Sequence, residues 1–222
     1  MNSHAGVKAL CGRNQGAVCS SSNALKTFEW ALEKKEKIFF FPDEHLRRNT
    51  AAALNLPEAE ILVWDPANPL GGNSESALLT AKIILWKGSY LVHARFSPKQ
   101  VQNMRKNFPE AGIVVHPECP HEVVKEADAC GSTSFIVRYV TDAIPGATIV
   151  VGTEINLIKR LAAEHPDKKI LPLNDSFCPH MHKINLKNLR HTMRHIGKAN
   201  VVTLDEKIKT EALIALQNML NL

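Results

Sequence analysis

Short apolar runs alternate with amphipathic stretches along the chain, and the alternation predicts strands and helices in turn. Lys37-Ile38-Phe39-Phe40-Phe41, Ile113-Val114-Val115 and Ala147-Thr148-Ile149-Val150-Val151 are strand-length runs rich in β-branched and aromatic residues. Helical spacing follows from Asn23 to Lys34 and from Phe135 to Asp142. Leu186, Leu189, Met193 and Ile196 recur at helical spacing and predict one buried face. Ser97 and Asn185 are good N-caps, and Pro98 suits a first helical position. A last helix from Leu204 to Leu222, with Ile208, Leu213, Leu216 and Leu220 inward, is expected to pack across a domain face. Strands and helices alternating at this spacing predict βαβ units and parallel sheets, an α/β fold.

The pattern is also duplicated. Ala17-Val18-Cys19-Ser20-Ser21-Ser22 leads into one helix, and Ala127-Asp128-Ala129-Cys130-Gly131-Ser132-Thr133-Ser134 into another. The tails Phe41-Pro42-Asp43-Glu44 and Val151-Gly152-Thr153-Glu154 correspond, as do Tyr90-Leu91-Val92-His93 and Cys178-Pro179-His180-Met181. Two α/β repeats over 1–110 and 111–222 are expected, the first with an insertion near 64–82 where Pro66–Ser74 is rich in turn formers.

Composition narrows the class. The apolar runs are too short to cross a bilayer, and the first residues form neither a secretory signal nor an Arg-rich presequence, so a cytoplasmic protein without a membrane role is expected. The net charge of +5 raises nucleic acid as a partner. The basic residues are dispersed and Tyr and Trp are scarce, so a solvated basic surface that attracts anionic metabolites is expected, and no nucleic-acid groove. Five cysteines with no CxxC pair argue against a secreted disulfide framework and against a self-contained zinc ribbon or ferredoxin-type cluster site.

Ligands of open α/β sheets bind beyond the carboxyl ends of the strands. There the chain places His116-Pro117-Glu118-Cys119, an imidazole and a carboxylate suited to proton transfer. A plain strand-to-helix turn has the same pattern, and the residues alone leave both readings open. Ser20-Ser21-Ser22-Asn23 and Ser132-Thr133-Ser134 open helices at equivalent positions, which suits carboxylate or phosphate as well as ordinary capping. His191 and His195 could clip a metal, but Arg190 and Arg194 beside them read as a solvated basic face.

These motifs, taken together, resemble quinolinate synthases. The residues that carry the likeness are Asn2-Ser3, Lys8-Ala9-Leu10, Ser20-Ser21-Ser22-Asn23-Ala24, Pro42-Asp43-Glu44-His45-Leu46, Val92-His93, His116-Pro117-Glu118-Cys119, Gly131-Ser132-Thr133-Ser134, Val151-Gly152-Thr153-Glu154 and Phe177-Cys178-Pro179-His180-Met181. The resemblance implies three pseudo-symmetric αβα domains around a central cavity, of which this chain would hold the second and third. It also implies a [4Fe–4S] cluster held by one cysteine per domain and acting as a Lewis acid. The implied reaction condenses iminoaspartate (iminosuccinate) with dihydroxyacetone phosphate to give quinolinate, in NAD biosynthesis.

By the same resemblance His116 and Glu118 are the catalytic pair, with Glu118 the general base. Asn2, Ser21, His93, His116, Pro117, Glu118 and Thr133 bind substrate, and Cys178 is a cluster ligand. The chain departs from the pattern where a second cluster cysteine is expected: Tyr90 stands there, opposite Cys178 in the repeat. The first family domain, with its cysteine, is expected upstream or on a partner chain, and an insertion lies near Gly12-Arg13-Asn14-Gln15. One thiolate of three does not cage four irons, so the resemblance implies a cluster for the family but not for this chain alone. A second reading is therefore a truncated or degenerate relative that binds a dicarboxylate or a partner subunit without catalysis.

Overall fold

The structure is a computed structural model that describes residues 3–222. Among the described residues seven strands are formed: β1 (Ile38–Phe40), β2 (Ile61–Trp64), β3 (Ile83–Trp86), β4 (Gly112–Val115), β5 (Ala129–Cys130), β6 (Thr148–Gly152) and β7 (Lys169–Pro172). The α-helices are α1 (Ala5–Arg13), α2 (Ala24–Lys34), α3 (Glu44–Ala53), α4 (Glu75–Thr80), α5 (Pro98–Asn107), α6 (His121–Glu126), α7 (Thr133–Asp142), α8 (Ile155–Glu164), α9 (Leu186–Arg194) and α10 (Glu206–Leu220). Among the described residues no helix is long and apolar enough to cross a membrane.

Both sheets are wholly parallel, in the orders β1-β3-β2 and β5-β4-β6-β7, and the fold is α/β as expected. The second sheet shows why its strands are apolar without interruption. Ile113 and Val115 point to one face, where they pack with Val101 of α5 and Val123 of α6. Val114 points to the other, against Ile136 and Val140 of α7 and Ile158 and Leu161 of α8. A strand covered on both faces needs apolar residues at every position. Full burial of each such side chain contributes roughly 1.5–3 kcal/mol. The first sheet packs Ile38, Ile83 and Leu85 against Phe28 of α2 and Ala51 of α3.

Helix starts follow the expected chemistry. Pro98 opens α5 and the Ser97 N–H donates to Gln100 Oε1 at 2.9 Å, while Asn185 Oδ1 accepts from the Asn188 N–H at 2.9 Å. The 64–82 region is ordered through β2, a 3-10 turn over Pro69–Gly72 and α4. Gly71 there has φ +66° and lies flat against the Trp64 ring, where a Cβ would come within 2.5 Å.

By contacts the chain divides into two compact units. One runs from Cys19 to Ser176 and contains both sheets; the other joins Ser3–Val18 to Phe177–Asn221 and consists of α1, α9 and α10. In the second unit two expectations fail. Leu186, Leu189, Met193 and Ile196 are 85%, 50%, 61% and 70% exposed, so the stripe on α9 is not buried. Periodicity identifies residues that share a face, and among the described residues no element buries that face of α9. On α10 the buried residues are Ala212 and Ala215, while Leu213 and Leu220 point outward. The reason is close approach: α1 crosses so near that a Cβ on Gly12 would lie 1.9 Å from the Glu211 carbonyl oxygen. Only small residues fit such a crossing.

Candidate functional site

Two neighbouring strands end together and deliver the chemistry. Val115 of β4 pairs with Gly152 of β6, and each strand is followed at once by a polar residue, His116 and Thr153. The His116 N–H donates to the Gly152 carbonyl at 3.0 Å and holds the two ends in line. A third contributor is the turn after Tyr90, whose carbonyl accepts from the N–H groups of His93 (3.0 Å) and Ala94 (3.1 Å). Asp43 braces this turn. One carboxylate oxygen caps α3 by accepting from the Leu46 N–H at 2.8 Å, and the other accepts from the Tyr90 N–H at 2.9 Å.

The side chains so placed form one connected string. His93 Nδ1 lies 2.9 Å from Glu118 Oε2, and His93 Nε2 lies 3.1 Å from Thr153 Oγ1. His116 Nδ1 is 3.9 Å from the same Glu118 oxygen, and His116 Nε2 is 3.2 Å from Ser21 Oγ. The two imidazoles stack with centroids 4.2 Å apart and planes at 11°. His93, His116, Glu118 and Thr153 are all buried.

Hydrogen-bond balance assigns the protons. The Glu118 backbone N–H points at His116 Nδ1 (3.3 Å), so that nitrogen is the acceptor and Nε2–H donates to Ser21 Oγ. The Ser21 hydroxyl proton is then left to face outward. Glu118 as a carboxylate accepts from His93 Nδ1–H, and His93 Nε2 accepts from the Thr153 hydroxyl. Electrostatics agree. Burial, with His93 nearby, lowers His116 to about 4, so it is neutral at pH 7. Burial pushes Glu118 up, but the His93 hydrogen bond and the adjoining imidazoles outweigh it, and the carboxyl ends below its ordinary value.

A clamp that the sequence pattern did not indicate supports the turn. Asn49 of α3 donates from Nδ2 to the carbonyls of Pro117 (2.8 Å) and Cys119 (2.9 Å), and its Oδ1 lies 2.7 Å from His121 Nδ1. Asn49, Asp43 and Thr153 are all buried polar residues. Only Asp43 carried a local signal, as an acid just before a helix.

Comparison with known proteins decides the family. The profile described as "NadA: Quinolinate synthetase A protein" matches residues 1–221. The chain belongs to that family. It is 42% identical over 226 residues to the quinolinate synthase of Halalkalibacterium halodurans, covering 100% of this chain and 61% of that protein. With those of Listeria monocytogenes and Nocardioides sp. it shares 46% and 45% identity, again over 100% of this chain and over 62% and 59% of theirs. The chain thus spans about three-fifths of the length of the quinolinate synthases it matches.

Within this quinolinate synthetase A chain the expected residues fare differently. Ser21, His93, His116, Pro117 and Glu118 come together as described. Thr133 opens α7 and is exposed; it sits at the same sheet edge, since the Gly131 N–H donates to the Val115 carbonyl at 3.1 Å. The hydroxyl pairs at the two helix starts match: Ser20 Oγ to Ser22 Oγ is 2.8 Å and Ser132 Oγ to Ser134 Oγ is 2.9 Å. A short strand, β5, precedes only the second pair among the described residues. Asn2 lies outside the described residues. Cys178 is buried in the other compact unit, and its Sγ accepts from the Met181 N–H at 3.4 Å.

The donors of this chain do not fit a four-iron cluster. A cluster thiol must ionise. Cys119 is fully buried in the apolar core, its Sγ donating to the Gly152 carbonyl at 3.6 Å, and burial pushes it well up. Burial also raises Cys11, and raises Cys130 to about 11. Tyr90 occupies the position where the resemblance expects a thiol. The buried His93, His116 and Glu118 bring ligand atoms within 4.8 Å of one another, the spacing of a small metal site. Their geometry does not suit one ion, because nearly parallel stacked rings aim their in-plane lone pairs side by side and not at a common point.

Proposed function

We propose that this chain carries the substrate-binding and proton-transfer part of a quinolinate synthase, an enzyme of NAD biosynthesis that condenses iminoaspartate with dihydroxyacetone phosphate. One observation carries this reading: the buried string Thr153–His93–Glu118 beside His116–Ser21, built from separate elements at one sheet edge. The names of the relatives support quinolinate synthesis in NAD biosynthesis; the two substrates follow from the motif resemblance, and the geometry supports the division of labour.

Glu118 is the general base, a carboxylate at neutral pH that takes a proton on Oε2 from carbon next to the imine or carbonyl. His93 orients it through Nδ1–H, while Thr153 holds the other ring nitrogen. Neutral His116 donates to Ser21, so the Ser21 hydroxyl proton is free to meet a substrate carboxylate. Thr133 and Asn2 add further carboxylate or phosphate contacts, and Pro117 shapes the turn. The family's iron–sulfur cluster draws at most Cys178 from this chain, so no step here passes through it. The two repeats meet near residue 110, and the remaining family segment completes the enzyme.

Tyr90 favours a second reading, a degenerate member that binds a dicarboxylate or a partner subunit and does no chemistry. One assay separates the two. The chain, supplemented with the family segment it does not match and handled anaerobically, is given both substrates while quinolinate is followed by chromatography. Turnover that falls about 10²–10⁴-fold in Glu118→Gln supports the enzyme. No quinolinate from the completed protein, or undiminished turnover in that variant, contradicts it.

A further inference from the structure

We infer that Asn49 is a positioning residue of the site: by pinning one peptide of the His116–Cys119 turn, it fixes which nitrogen of His116 carries the proton. Its catalytic consequence rests on the proposed reading of the site. The Cys119 N–H donates to the His116 carbonyl at 2.9 Å, so His116, Pro117, Glu118 and Cys119 form a β-turn. Proline in the second place suits both common turn types, and these differ by a half-rotation of the peptide that joins Pro117 to Glu118. Different side chains hold the two ends of that peptide. Asn49 Nδ2 donates to the Pro117 carbonyl at 2.8 Å, and the Glu118 N–H points at His116 Nδ1 at 3.3 Å. Glu118 is not among the residues with positive φ, which the rotated turn would require of it.

The Asn49 amide has only one way to sit. Its Nδ2 also reaches the Cys119 carbonyl at 2.9 Å, and its Oδ1 lies 2.7 Å from His121 Nδ1. Two carbonyls on one side admit only the NH2 end, so His121 donates to the oxygen. Rotating the Pro117–Glu118 peptide would pull the Pro117 carbonyl from Asn49. It would also bring that carbonyl to where the Glu118 N–H now meets His116 Nδ1, and a carbonyl there demands Nδ1–H. The consequence reaches Ser21. While Nδ1 of His116 accepts from the Glu118 N–H, Nε2 carries the proton that meets Ser21 Oγ at 3.2 Å. Burial lowers His116 to about 4, so the ring is neutral at pH 7 and its two tautomers compete there. Asn49 decides that competition through the peptide, from a helix of the first repeat.

The tautomer ratio of His116, read by ¹⁵N-histidine NMR of the 222-residue chain at pH 7, tests this. His116→Gln identifies its signals among the ten histidines. The parent should carry the proton on Nε2. Asn49→Asp keeps the size of the side chain and the acceptor for His121 but removes both donors. It should lower the ratio of Nε2–H to Nδ1–H about fivefold or more, the equivalent of one ordinary hydrogen bond. Asn49→Ala should act in the same direction. His121→Ala frees the amide to turn over and should lower the ratio less; it is the variant to read if an Asn49 substitution does not fold. Val101→Ala controls for general loosening, because it opens a cavity in the core beside β4 and takes no hydrogen bond from the turn. It should keep the parent ratio. An unchanged ratio in the folded Asn49 or His121 variants overturns the inference, and so does an equal fall in Val101→Ala. The ratio is measured without substrate, so it stands or falls separately from the synthase assay.

Discussion

Replacing Arg47 with methionine should stabilise the protein. Arg47 is fully buried on α3, with its guanidinium carbon 3.4 Å from the centroid of the Phe40 ring and Nη1 donating to the Phe40 carbonyl. Nε and Nη2 have no hydrogen-bond partner. Burial lowers its pKa well below the usual arginine value, the signature of a charge held where it is not solvated. Losing the carbonyl bond costs about 1.5–3 kcal/mol and losing the ring contact about 0.5–2. Against that, each unsatisfied donor costs about 1–3 kcal/mol, and the buried charge several more. The second sum is larger, and methionine fills much of the same volume. Arg47→Met should therefore gain about 1–3 kcal/mol, or roughly 2–12 °C in Tm for a chain of this size. Urea titration and thermal melts of the full chain measure it. A loss of about 1 kcal/mol or more would refute the reasoning, because the guanidinium would then be satisfied in solution.

Other perturbations report on the site and its supports. Lowering the pH should destabilise the fold: His116 takes a proton near 6.5 when unfolded but only at about 4 when folded, so the unfolded chain binds more protons between those values. That contribution, about 3 kcal/mol, is complete above pH 6.5 and is lost as pH falls through 4; Glu118, lowered in the fold, adds in the same direction and Asp43, raised, opposes. A urea midpoint that changes as steeply with pH in His116→Gln as in the parent would contradict the assignment. Asn49→Ala leaves the carbonyls of Pro117 and Cys119 without their donor and should cost about 2–4 kcal/mol by chemical denaturation. Gly12→Ala forces α1 from α10, so exchange should quicken over residues 206–220 while residues 112–152 keep their protection; unchanged exchange would show that the helices are not in close contact.

Much of this was legible in the chain because it depends on local pattern. Uninterrupted apolar runs gave β4 and β6, and N-cap chemistry gave the starts of α5 and α9. The rule that ligands gather beyond strand ends picked out His116 and Glu118 without reference to any relative. What stayed hidden depends on long-range placement. Nothing near Thr153 says that its hydroxyl meets His93, and an asparagine inside a helix gives no sign that it clamps a turn seventy residues away, as Asn49 does on Cys119. The α9 and α10 faces depart from the pattern for a related reason. Periodicity shows which residues share a face on α9, but burial needs a partner surface, and α10 meets its partner through alanines against Gly12, not through Leu213 and Leu220.

The site is a buried relay with an ionised Glu118 between two differently tautomerised histidines, and ¹⁵N-histidine NMR of the 222-residue chain reads it directly. Long-range ¹H–¹⁵N correlations at neutral pH should show the His93 Nδ1–H hydrogen-bonded to a carboxylate. His116 should stay neutral, with Nε2 protonated, until the pH approaches about 4. If instead His116 titrates near 6.5, or carries its proton on Nδ1, the relay is not assembled as described and Ser21 has no donor behind it.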